Sequence, residues 1–142
     1  MTDQPSPMQI ASQMRAKEGI APTLGHDILV ASGDEVVIRM TVPATLSNGV
    51  GLAHGGAVFA LGDTAAAYLA CACNAVHVTA FASISFLAPA HVGSFLTAQA
   101  RLTARHPRGA EIAVSVTDDA GTLVAVLTAS MRKVEGQIIH DS

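Results

Sequence analysis

The chain predicts an α+β domain: one long central helix wrapped by a curved antiparallel sheet, in the order β-β-α-β-β-β-β. Three observations predict it. Residues 55–73 hold seven alanines and no proline, a composition for a closely packed helix. Two strand-like runs, the second of them alternating, precede that stretch and four more follow it, bounded by turn residues. The chain's 142 residues suit one domain, and a 50% apolar, 13% charged composition favours folding over disorder.

Residues 1–19 read as a polar N-terminal segment, with a short helix expected from about Met8 to Lys17. There Ala11 and Met14 share a face, and Gly19 ends the helix. The main domain is expected over residues 20–136, with 137–142 as a tail. A strand from His26 to Ala31 is followed by the turn Ser32-Gly33-Asp34. Glu35 to Val42 then alternates, with Val36, Ile38, Met40 and Val42 on one face, and the two strands form a hairpin that Pro43 stops. A loop over residues 43–54 leads into the long helix, Gly55 to Cys73. That helix is apolar all round, so it is expected to be surrounded by protein. Four strands complete the domain: Val76 to Leu87, Ser94 to Arg105, Ala110 to Asp118, and Thr122 to Val134. Turns at residues 89–93, 106–109 and 119–121 separate them.

Composition excludes several function classes. With 8 basic and 11 acidic residues, a net charge of −3, 4% aromatics and no tryptophan, the chain offers neither a basic patch nor stacking platforms for nucleic acid. Its start, Met1 to Pro7, has no basic region followed by an apolar one, so no signal peptide and a cytoplasmic setting are expected. Residues 55–73 are long enough to span a membrane, but much of their apolarity is alanine and Asp63 sits at the centre. A mid-membrane Asp costs about 2.5–3.5 kcal/mol, so a buried core helix is the better expectation. Cys71 and Cys73 form C-x-C within that helix and read as two buried thiols. The six histidines are scattered without zinc-type spacing, so no metal site is expected.

The charges are unevenly placed. The 61 residues between Arg39 and Arg101 contain one charged side chain, Asp63. At the average composition about eight would be expected. A lone carboxylate in an apolar segment is expensive to bury, so Asp63 is either held by hydrogen bonds as a structural group or kept for chemistry.

The stretch from Asn48 through His54-Gly55-Gly56 to Asp63-Thr64 resembles the hotdog-fold acyl-CoA thioesterases, most closely the phenylacetate-degradation group. Phe86-Leu87-Ala88-Pro89 followed by Gly93, and the Asp119 to Gly121 hairpin, are also similar to that family. The resemblance covers roughly residues 20–134. It implies a hotdog fold and hydrolysis of an acyl-CoA thioester, with an aryl-acetyl group as one candidate. No cofactor is needed, since coenzyme A is part of the substrate.

The chemistry has its own physical logic. Backbone N–H groups at a helix start have no intrahelical acceptors, so Gly55 and Gly56 offer an oxyanion hole. The structural alternative is glycine for tight packing. Asp63 serves as general base toward water or as nucleophile. His54 shapes the turn or takes part in catalysis, with the turn role favoured. Asn48 is a turn residue on its own merits, and by resemblance it fixes the loop or the thioester. Thr64 and Thr79 carry hydroxyls near the corresponding family positions that orient water or are ordinary polar groups. The coenzyme A phosphates need cations, and Arg101, Arg105, Arg108, Arg132 and Lys133 are the candidates.

Gly55 and Asp63 are eight residues apart, roughly 12 Å along a helix axis at 1.5 Å per residue. One carbonyl cannot readily touch both, which favours a homodimer whose two sites each draw Gly55 from one chain and Asp63 from the other. The family resemblance adds a dimer of dimers, a homotetramer. Two other readings compete: a hotdog hydratase or dehydratase, and a non-catalytic acyl-CoA binding protein. The His-Gly-Gly-then-Asp order speaks against the first.

Overall fold

The structure is a computed structural model that describes residues 3–141. Met1, Thr2 and Ser142, at the ends of the N-terminal segment and the tail, lie outside the described residues. The element order is α1 (Pro7–Lys17), α2 (Ala21–Leu24), β1 (Asp27–Ala31), β2 (Glu35–Thr41), a 3-10 turn (Ala44–Leu46), α3 (Gly55–Ala70), a 3-10 turn (Cys71–Cys73), β3 (Ala75–Phe86), β4 (Phe95–His106), β5 (Gly109–Asp118) and β6 (Leu123–Gln137). The six strands form one antiparallel sheet in the order β1-β2-β4-β5-β6-β3. It is open, with β1 and β3 at its edges. Helix α3 connects β2 to β3 and lies across one face of the sheet.

That face is built by the alternation read in the sequence. Val36, Ile38 and Met40 of β2, Leu96, Ala98 and Ala100 of β4, and Ile112, Val114 and Val116 of β5 are buried against the helix. Small residues bring the helix close: Ala65, Ala66 and Ala70 are fully buried, and a Cβ on Gly62 would stand 3.3 Å from Leu127 Cδ1. The stretch 55–73 has the apolarity of a membrane span, with a mean hydropathy of 1.4, but it is mostly buried as core.

Four findings differ from the expectations. The helix is not surrounded by protein: Phe59, Ala60, Asp63, Thr64 and Ala67 form a half-exposed stripe. A single open sheet covers only one side of a cylinder. The helix also stops at Ala70 and tightens into the 3-10 turn, which Asn74 closes in the left-handed conformation at φ 67°. Cys71 is buried there, its thiol pushed up to about 11 by desolvation, but Cys73 is exposed. Finally, β6 runs to Gln137, and the Asn74 side chain both donates to Ile139 O and accepts from Ile139 N, each at 2.9 Å.

Helix α1 begins with a capping box, Ser6 Oγ accepting from Gln9 N and Gln9 Oε1 accepting from Ser6 N. It buries Ile10 and Ala11 against α3 and β1. Beneath it, His26 is fully buried, with Nε2 2.8 Å from the Tyr68 hydroxyl. Arg15 Nε donates to the His26 carbonyl at 2.8 Å, and His26 Nδ1 has no protein partner. Burial is the main cause that lowers the His26 pKa from its ordinary 6.5, with the Arg15 charge adding to it.

This buried histidine makes stability depend on pH. Its folded-state pKa lies below the unfolded value, so the unfolded chain binds more protons as pH falls through 6.5. The stabilisation is fully present above 6.5 and is lost as pH falls toward the folded value. His77, lowered chiefly by burial, acts in the same direction, whereas Glu18, raised by burial, opposes it. Thermal melting from pH 7.5 to 5 should show a falling midpoint, and His26→Gln should flatten that slope relative to the parent. An unchanged slope in the variant would mean that His26 does not stay neutral in the fold.

Candidate active site

The loop before α3 is shaped by side chains. Asn48 Oδ1 accepts from Val50 N and Leu52 N, both at 3.0 Å, which closes an Asx-type turn. His54 is the N-cap of α3, and its Nδ1 accepts from Gly56 N at 2.8 Å. The neutral ring therefore carries its proton on Nε2. A Cβ on Gly56 would stand 3.0 Å from His54 Nδ1, so glycine leaves room for the capping ring. The Ala57 and Val58 N–H groups donate to His54 O. Of the two glycines read as an oxyanion hole, Gly56 thus spends its N–H on His54. Gly55 N–H makes no protein hydrogen bond among the described residues.

Gly55 opens onto a cavity of about 420 Å³ lined by Asn48, Leu52, Val58, Phe86, Leu87 and Val124, among others. The cavity sits where the start of α3, the end of β3 and the start of β6 meet, and it is mainly apolar. Asn48 therefore has two positions of interest at once. Its Oδ1 holds the loop, and the residue also lines the cavity beside Gly55.

Asp63 lies elsewhere, on the half-exposed stripe of α3. Its Oδ1 accepts from Thr79 Oγ1 at 2.7 Å. The same hydroxyl lies 3.5 Å from Met131 Sδ. The register of β3 explains why Thr79 faces the helix: Thr79 is opposite Met131 and Phe81 is opposite Ser130, so Ala80 is an extra residue. This β-bulge turns the strand directly after Thr79. Thr64 is on the same stripe, and its hydroxyl makes no side-chain hydrogen bond among the described residues.

The structure thus brings Asn48, His54, Gly55 and Gly56 together at the helix start, and Asp63 with Thr79 farther along. It does not bring the two groups into one pocket within a chain: the cavity lining contains Gly55 and lacks Asp63. Phe86, which sequence reasoning placed only within a family-like run, also stands at the helix start.

The five cations separate into different settings. Arg105 caps the end of α3, donating to Ala70 O at 3.2 Å and Leu69 O at 3.3 Å. Arg101 lies 3.8 Å from Glu35. Arg132 pairs with Val78 and Lys133 with His77, next to Thr79 on the edge strand, and Lys133 N donates to Arg108 O at 2.8 Å. Arg108, Arg132 and Lys133 are therefore neighbours along the backbone at one end of the sheet, with Arg132 and Lys133 alternating across it.

The comparisons with known proteins decide the family. The family model described as thioesterase superfamily matches residues 50–125, which hold the end of the loop, the helix and Asp63 but not Asn48. The chain belongs to the thioesterase superfamily. It is 33% identical over 137 residues to the acyl-coenzyme A thioesterase PaaI of Escherichia coli K12, covering 94% of this chain and 96% of the relative. The E. coli PaaI structure, from the phenylacetic acid degradation operon, superposes with a TM-score of 0.89 at 29% identity, over 92% of this chain and 95% of that one. A hypothetical thioesterase from Streptococcus pneumoniae, solved with coenzyme A, superposes with a TM-score of 0.75 at 25% identity, over 79% and 87%. The hotdog fold and a thioesterase activity follow for this protein.

The geometry separates a capping role from a catalytic one at His54. His54→Ala should lower stability by about 0.5–2 kcal/mol, the usual loss for an N-cap side chain. Denaturant titration gives the first number and steady-state turnover the second. If His54 only caps, kcat should fall by less than about tenfold. A loss of the 10²–10⁴-fold typical of an acid–base group would make it catalytic.

Proposed function

We propose that this thioesterase hydrolyses acyl-coenzyme A in a site shared by two chains, with Gly55 of one and Asp63 of the other acting on the same carbonyl. The observation that carries the reading is the separation of the two groups. Gly55, whose N–H has no protein acceptor among the described residues, lines the apolar cavity at the start of α3. Asp63, held by Thr79, lies on the uncovered stripe about 12 Å along the axis. A reacting carbonyl and its attacking group must approach within roughly 3–3.5 Å. Pairing two chains through that stripe and the open β3 edge joins the halves and covers surface that a single sheet leaves bare.

In this mechanism the thioester oxygen accepts from Gly55 N–H, and the helix dipole favours the negative charge that develops there. Asp63 acts as general base toward water or as nucleophile. Thr79 donates to Oδ1 and holds the carboxylate in place, leaving Oδ2 for the reaction. Thr64 lies beside it as a further hydroxyl for water. Asn48 keeps the loop closed beside Gly55, and His54 caps the helix so that one N–H stays directed outward. Coenzyme A enters as part of the substrate, and no cofactor takes part.

The acyl group lies in the apolar cavity, and we assign it to the aryl-acetyl class. The likeness to PaaI and the lining by Val58, Phe86, Leu87 and Val124 support that assignment. The phosphates lie outside on the cluster of Arg108, Arg132 and Lys133, with Arg101 in reserve. Arg105 is committed to the carbonyls of α3. A dimer of dimers and a cytoplasmic setting complete the reading.

Asp63→Asn preserves shape but neither takes a proton nor attacks. Thiol release from acyl-CoA should fall 10²–10⁴-fold with the melting temperature little changed. Turnover within about threefold of the parent would remove Asp63 from the chemistry, and a protein that binds acyl-CoA without releasing thiol would be a binding module.

Subunit mixing tests the shared site. Gly55→Val places a side chain against Phe86, since even its Cβ would meet Cζ at 3.2 Å, and it crowds the oxyanion hole. Co-refolding this dead variant with Asp63→Asn should place both lesions in one site and restore the other. Activity should recover toward half per mixed dimer. If both variants fold and exchange subunits yet remain dead, each site lies within one chain.

A further inference from the structure

One wall of the acyl cavity, Phe86, stands closer to Gly55 than the others. Phe86 ends β3 with its ring against Gly55: a Cβ placed there would meet Cζ at 3.2 Å, Cε1 at 3.5 Å and Cε2 at 3.7 Å. The ring does not fill the core, because Phe86 is 54% exposed. Its base is firmly held. Phe86 pairs with Ala125, and Leu87 N and Ala88 N both donate to Val124 O, at 2.8 and 3.2 Å. The loop on the other side is tied as well, Ala53 N donating to Ala90 O at 2.9 Å and His54 N to Leu46 O at 2.8 Å. The strand end and the loop that carry this wall are therefore held by backbone bonds, and the ring borders Gly55 from that firm base.

We infer that Phe86 is a specificity-determining residue: it admits acyl groups unbranched at the carbon next to the thioester carbonyl and rejects those branched there. The inference rests on the thioesterase reading with Gly55 N–H as the carbonyl's donor. A carbonyl oxygen accepting from that N–H lies about 2.9 Å from the nitrogen. On this reading the carbonyl carbon and its first substituent sit beside Gly55, next to the Phe86 ring that borders the Gly55 Cβ position. A methyl branch needs roughly 3.5–4.0 Å from each neighbouring carbon, and the ring already stands 3.2 Å from where a Gly55 Cβ would lie, so a branch directed over Gly55 enters a crowded space. Farther in, the cavity runs along Leu52, Val58, Leu87 and Val124, so bulk placed beyond the first carbon finds room. Crowding a packed apolar wall is destabilising, so the branched substrate is penalised at the reacting centre itself.

Butyryl and isobutyryl are isomers, so that pair separates branching from hydrophobicity, while the phenylacetyl pair adds the same branch as one extra methyl in the aryl class. The experiment measures kcat/KM for butyryl-CoA against isobutyryl-CoA, and for phenylacetyl-CoA against 2-phenylpropionyl-CoA, with the parent, Phe86→Ala and Phe86→Leu. The parent should prefer the unbranched member of whichever pair it hydrolyses by about tenfold or more, the range one methyl commands in a shaped pocket. Phe86→Ala should bring the ratio to within about threefold by raising the rate on the branched acyl group, with Phe86→Leu between the two. A change in general stability or in the chemical step would lower both rates together and leave the ratio alone. If Phe86→Ala is too unstable to assay, Phe86→Leu supplies the ratio. A parent without preference for the unbranched member, or a ratio that the variants leave unchanged, overturns the assignment while the thioesterase reading stands. A parent that releases no thiol from any of the four substrates overturns both.

Discussion

A lone open sheet buries only one side of a helix, and the organisation of this protein follows from that constraint. Helix α3 is rich in alanine and glycine, so it settles close to the sheet, with Gly62 only a van der Waals contact from Leu127. A sheet that follows so narrow a cylinder must bend. The bend is supplied by extra residues in the ladder: Leu29 in β1, Ala80 in β3, Thr103 in β4 and Val124 in β6. Even bent, the six strands leave the stripe of Phe59, Ala60, Asp63, Thr64 and Ala67 only partly buried. The bare stripe and the free β3 edge are two consequences of one geometry. Asp63 lies on the first, and Thr79, which holds it, on the second.

Much of this is legible in the residues themselves. The period-2 runs at Glu35 to Val42 and Ala110 to Asp118 describe one buried face each, and the structure buries those faces. Turn residues delimit the strands because they have few other uses at such spacing. The alanine-rich helix could be recognised, but its one bare side could not. Apolarity on every face is the same whether a helix is covered by its own chain or by another. The bulge at Ala80 was equally hidden. Continuing the alternation from His77 and Thr79 would turn Phe81 inward, yet the extra residue turns it out, and Phe81 is largely exposed. A bulge arises from pairing with β6, which no local pattern records.

The candidate site shows the same division. Asp63 stood out because charge is scarce around it, a signal that needs no coordinates. The two glycines were also legible as a helix start, but not their inequality. That required the His54 ring, which takes the Gly56 N–H and leaves Gly55 as the outward donor. Arg105 illustrates the converse. Its charge and its position near a strand end matched a phosphate ligand, whereas folding brings it to the carbonyls that end α3. Side chains that serve a helix end are set by which strand passes beneath it, and so by topology rather than spacing.

The electrostatic situation of Asp63 closes the argument. A carboxylate in an apolar segment is costly when buried alone, and within one chain Asp63 avoids that cost by lying half exposed with one hydroxyl donor. In the proposed pair it would lose water, and one threonine would not compensate an ionised group. The group that faces it there is the start of the partner's α3. That end carries the positive pole of the helix dipole and a free N–H, and the polarity is favourable to a carboxylate. The same arrangement favours the anionic oxygen that develops during hydrolysis. In that proposed pair one helix terminus would serve both the resting carboxylate and the transition state, and this would join the glycine that opens α3 and the aspartate two turns along in one mechanism.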